Sequence, residues 1–77
     1  MTELRYWVVR IFKCQTIDDF RQVLAGFSAA GGWTLEERSV ISSIYTPRLM
    51  KLLTQYEDAP VYLEEISALC WDRRVNA

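Results

Sequence analysis

Histidine is missing altogether, and that single absence removes much chemistry. Without it there is no imidazole to act as base for Ser or Cys, or to ligate a metal. The two cysteines, Cys14 and Cys70, stand far apart, with no Cys-x-x-Cys spacing. A structural zinc site takes about four Cys or His ligands, so no metal is expected, and no other cofactor is implied. Both thiols read as small buried hydrophobes. No apolar run approaches the ~20 residues that cross a bilayer, so no membrane partner is expected. The opening Met1-Thr2-Glu3 lacks a basic segment, an apolar run and a small-residue cleavage site. No secretory leader is therefore expected, and a reducing cytoplasm is the expected setting. Dense Lys/Arg clusters are missing too. The net charge is −1, with +2 over residues 1–15 and −3 over the rest. Strong autonomous DNA binding, which needs several cations on phosphates, is not expected.

What is present is apolar surface. Hydrophobic residues make up 51% of the 77 positions, and ten residues are aromatic. A chain of this size forms one domain near the lower limit for an independent core. We read residues 1–77 as a single helical domain, all-α, a compact bundle of about four helices, with residues 72–77 a frayed tail. Tyr6, Trp7, Trp33, Tyr45, Tyr56, Tyr62 and Trp71 exceed what one small core needs, and four or five of them are expected to be buried. The remainder would serve a partner.

The pattern along the chain places the helices. Leu4 to Phe12 has the β-branched and aromatic content of a strand. Its charges, however, fall on one arc of a helical wheel, and we read a helix. Thr16 begins the next helix as N-cap, with Asp19 three residues on as a short capping-box acid and Asp18 beside it at the positive dipole end. Ile17, Phe20, Val23, Leu24 and Phe27 then form one apolar stripe. That helix is expected to end between Gly26 and Ala30, with Gly31-Gly32 as C-cap and turn. Thr34 and Glu37 make a second capping box. The stripe Ile41, Tyr45, Leu49, Leu52, Tyr56 keeps one phase across Pro47. Thr46-Pro47 could open a fresh helix, but continuous phase favours a third helix running from Leu35 to about Tyr56, long and kinked at Pro47. After Glu57-Asp58-Ala59-Pro60, Asp58 caps a last helix whose inner side carries Tyr62, Ile66, Leu69 and Cys70.

Each acidic pair has a complete explanation in capping and dipole terms, and Cys14 would sit beside a helix C-terminus, which opposes thiolate formation. An enzyme is not expected. A helix-turn-helix repressor would use residues 16–27 and 34–45, yet Glu36 and Glu37 at the start of its second helix would repel phosphates.

The run Lys13-Cys14-Gln15-Thr16-Ile17-Asp18, with Arg10 upstream and Val23 downstream, resembles the first helix–helix corner of the Hha/YmoA family. The likeness continues through Thr34, Glu37, Val40, Ser43 and Arg48-Leu49, and spans residues 6 to 66 with a small shift near Gly31-Gly32. Members of that family are small all-helical bacterial modulators that bind the nucleoid-associated protein H-NS. The resemblance implies a non-enzymatic co-modulator of gene silencing, associated with the nucleoid and touching DNA only indirectly. It implies partner contacts at Asp18, Tyr45, Thr46 and Arg48, and basic residues near DNA at Arg10 and Lys13. One departure stands out: where the family has Ala-Asp-His-Arg-Leu, this chain has Tyr45-Thr46-Pro47-Arg48-Leu49, and Thr46 brings no charge. The alternative is a small inhibitor, antitoxin or secretion-type adaptor that grips another protein through an aromatic face.

Overall fold

The computed structural model describes residues 4–71, and the expected tail at 72–77 lies outside them. Four helices follow one another: α1 Leu4–Phe12, α2 Ile17–Ala30, α3 Leu35–Leu53 and α4 Ala59–Trp71. The all-α bundle read from the sequence is what forms, and the ambiguous first segment is helical.

Local chemistry accounts for each boundary. At the corner after α1, the Lys13 and Cys14 amides donate to the Arg10 and Ile11 carbonyls, closing the helix in a tight turn. Thr16 then caps α2. Its Oγ1 accepts from the Asp19 amide at 3.1 Å, and Asp19 Oδ2 accepts from the Thr16 and Gln15 amides. The amides of the N-cap Thr16 and of Asp19, and that of Gln15 just before the helix, are thereby satisfied. At the far end Gly31 and Gly32 take φ of 73° and 78°, the left-handed region that costs a glycine little. The reversal lays Trp33 back over the end of α2, where its ring stacks on Phe27 at 4.5 Å and its indole N–H donates to the Phe27 carbonyl. Thr34 and Glu37 repeat the capping box at α3.

α3 runs unbroken through Pro47 and ends at Leu53, short of the expected Tyr56. Its buried row is Arg38, Ile41, Tyr45, Leu49 and Leu53. Leu52 is half-buried, and Tyr56 lies exposed beyond the helix, edge-on to Tyr62. The stripe thus ends one helical position over from where its phase pointed. Asp58 opens α4 by accepting the Val61 and Tyr62 amides on its carbonyl. Pro60 sits in that first turn, where the missing N–H leaves no bond unmade.

α1 packs on α2 and α3, α4 packs on the same pair, and α1 and α4 do not meet among the described residues. They flank the α2–α3 pair from opposite sides. Trp7 and Ile11 of α1 join Phe20, Val23, Leu24 and Phe27 of α2, the inner row of α3, and Ile66 and Cys70 of α4 in one core. Gly26 makes room for Trp7, since a Cβ there would stand 3.1 Å from the indole. α3 and α4 run antiparallel, held by polar pairs as well as apolar ones. The Arg38 guanidinium donates to the Cys70 carbonyl, Cys70 Sγ points at the Arg38 carbonyl at 3.8 Å, and Tyr45 Oη donates to Ser67 Oγ at 3.1 Å.

Candidate protein-docking surface

The residues expected to meet a partner do not form one patch. Tyr45 is the clear correction: it is fully buried, and its hydroxyl is spent on Ser67. It belongs to the core because it falls in phase with Ile41 and Leu49, four residues to either side. Thr46 is half-buried and Arg48 exposed, and residues two apart on a helix point to different sides. Arg48 turns to α1, where its guanidinium lies 4.0 Å from the centre of the Phe12 ring. Asp18 is exposed in the first turn of α2, accepting from Gln22 Nε2 at 2.7 Å. It is open to solvent and already oriented.

Arg10 and Lys13 are brought together. With Cys14, Asp19, Gln22 and Val23 they line an open cleft of about 190 Å³ at the α1–α2 corner. Arg10 is not an extended arm there. Its guanidinium lies over the Tyr6 and Trp7 rings at 5.7 and 5.5 Å and donates to the Tyr6 hydroxyl at 3.3 Å. Such cation–π seating holds the group against the aromatic side of α1. Asp19 shares the cleft, and its carboxyl is held below the ordinary carboxylate range, first by the Gln15 amide and then by Thr16.

Burial pushes the Cys14 thiol up, the Asp19 charge adds to that, and Arg10 opposes it only in part. The Sγ donates to the Arg10 carbonyl at 3.4 Å, as the helix-end position of this residue leads one to expect. Cys70 is buried and raised to about 11 by loss of solvent. Among the described residues no three Cys, Asp or Glu side chains converge on a point that could hold a metal ion. No described helix is long and apolar enough to cross a membrane.

No known protein family, no curated protein and no solved structure matches the chain. Its function has to be argued from its own surface.

That surface carries more large apolar groups than the sequence pattern placed there. Of the seven aromatics weighed above, Trp7 and Tyr45 are buried and Trp33 and Tyr62 half-buried, while Tyr6, Tyr56 and Trp71 are exposed. Phe12 and Val9 join the exposed set. Sequence reasoning passed over Phe12 as part of an apolar segment. The available signal was that Trp7, Val8 and Ile11 already fill the inner arc of α1, which turns Phe12 outward. On α4, Val61 is exposed beside Glu64 and Glu65, and Glu65 pairs with Arg21 of α2 at 3.3 Å.

Proposed function

We propose that the protein is a non-enzymatic regulator that acts by binding another protein, as an Hha-like co-modulator of a nucleoid-associated protein of the H-NS type. The observation that carries the protein-binding part is the exposed ring of Phe12 under the Arg48 guanidinium. An aromatic and an arginine seated together on an open surface are the residue types that anchor interfaces. The choice of partner rests on the Lys13–Asp18 run and its likeness to the Hha/YmoA corner. In support, that run occupies the turn between α1 and α2, and Asp18 faces solvent at the start of α2. Asp18 would make charge-assisted hydrogen bonds to a basic partner. Arg10 and Lys13 would add a salt-sensitive attraction to DNA held in the same assembly.

Isothermal titration of the purified N-terminal dimerisation region of H-NS into the folded chain tests this reading. Binding is expected at low salt, weakened at least about tenfold by Asp18→Lys and strongly reduced in high salt. Binding that ignores both changes would detach the partner contact from Asp18. No binding at all would leave the family likeness as one of fold, and would favour the adaptor or inhibitor reading.

A further inference from the structure

The outer side of α1 is organised in a way that the Asp18 contact does not use. Arg5, Val9 and Phe12 recur at four- and three-residue intervals, so they form one straight row along the helix, and Lys13 follows at its end. Val9 is 44% and Phe12 52% exposed. Side chains facing the core, Trp7 and Ile11, lie on the opposite arc. Among the described residues the charge on this side is mainly positive, Asp19 beside Lys13 in the corner cleft being the exception. Leu4–Phe12 contains no Asp or Glu, and the second half of α3 adds Arg48, laid over the Phe12 ring. Among the described residues, no carboxylate pairs with Arg5, Lys13 or Arg48. The acidic groups near the corner are otherwise engaged: Asp19 closes its capping box and Asp18 holds Gln22.

We propose that this row is a docking strip for an acidic amphipathic helix of another protein. Val9 and Phe12 receive the apolar side chains of that helix, while Arg5, Lys13 and Arg48 receive its carboxylates. A straight apolar row with flanking charge fits the helix-in-groove mode, whose anchors repeat at three- and four-residue steps. Arg48 is suited to the task because a guanidinium placed over a ring, 4.0 Å from its centre, can still offer N–H groups to a carboxylate. DNA fits less well. Half-exposed Val9 and Phe12 occupy the middle of the strip, where a phosphate backbone offers them nothing. The proposal shares Phe12, Lys13 and Arg48 with the function proposed above but not Asp18, so failure of an Asp18-dependent contact with a basic partner leaves this strip to be judged by its own test.

The test is an NMR titration of the isotopically labelled full chain. The probe is a synthetic helical peptide of roughly 18 residues, five helical turns, with Leu at the anchor positions and Glu on both flanks. A Lys-flanked counterpart and a short DNA duplex are titrated in parallel. Amide shifts are expected to cluster at Arg5–Lys13 and around Arg48 with the Glu-flanked peptide and to be absent with the Lys-flanked one. Phe12→Ala and Arg48→Ala should each weaken binding by about tenfold, as anchor truncations do, with both variants checked for an unchanged spectrum elsewhere. Shifts on the strip produced by the duplex and indifferent to Phe12→Ala would make it a phosphate surface and overturn the proposal. So would shifts that depend on protein concentration alone and vanish in Glu64→Lys, because the occupant would then be α4 of a second copy. Absence of any shift with the Glu-flanked peptide at millimolar concentration overturns it as well.

Discussion

Cys70 lies wholly out of solvent with its Sγ turned to the Arg38 carbonyl, and loss of hydration raises its pKa from 9.0 to about 11. The unfolded chain exposes the thiol and lets it ionise near its ordinary value, whereas the folded chain keeps the proton to higher pH. Below about pH 9 the thiol is neutral in both states and this preference contributes fully. As pH climbs from there towards 11 the unfolded state loses its proton first, and stability falls by up to about 1.4 kcal/mol per pH unit. The Tyr45 hydroxyl, also raised by burial, adds a loss of the same sign higher up. Urea midpoints measured from pH 7 to 10.5 should therefore decline for the wild type and decline less steeply for Cys70→Ala. The inward place of Cys70 was legible from its spacing after Ile66. Arg38 was not. A long cation in the first turn of a helix reads as solvated, and the contact with a carbonyl 32 residues away is not visible in any local pattern.

Helix starts were legible almost to the residue, because a capping box is a local code: Thr16 with Asp19, Thr34 with Glu37. Helix ends were less so, since glycine marks α2 but nothing local marks Leu53. Pro47 shows the limit of local reading best. It removes the N–H that would reach the Ser43 carbonyl and crowds the preceding turn, yet α3 passes through it. The inner row of Ile41, Tyr45, Leu49 and Leu53 is continuous on both sides, and its burial holds the helix together across the break. Pro47 itself is exposed, as is Ser43, so water can take the place of the missing donor. Pro47→Ala restores one intrahelical bond without touching the core. It should stabilise the fold by about 1–3 kcal/mol, the bulk of the cost of an interior proline. Chemical denaturation reads this directly. A loss of stability would instead mean that Pro47 contributes to the fold through its rigid φ or its packing.

A bundle of this size has little stability in reserve, about 4–12 kcal/mol by the usual range per residue. How that reserve is distributed follows from the order of packing. α2 and α3 form the centre, and each outer helix is fixed by few fully buried side chains: Trp7 and Ile11 for α1, Ile66 and Cys70 for α4. The pairing of α4 with both central helices was not written in any single stripe, whereas the outward turn of Phe12 could have been read from the inner arc of α1. A stripe names a face but not the neighbour it meets. The two flanks each expose apolar groups, Phe12 and Val9 among cations on α1 and Val61 beside Glu64 on α4. Central α3 carries exposed apolar groups as well, at Leu35, Val40 and Met50. Buried and exposed positions of α4 should then behave very differently. Ile66→Ala empties a site that α2 and α3 cannot both close upon, and should cost about 2–4 kcal/mol, a large share of the whole. Val61→Ala, at 63% exposure, should change stability by no more than about 0.5 kcal/mol. Urea unfolding of the two variants beside the wild type checks the pair. A small loss at Ile66 would mean that α4 contributes little to the cooperative unit, and that the reserve resides in α1, α2 and α3.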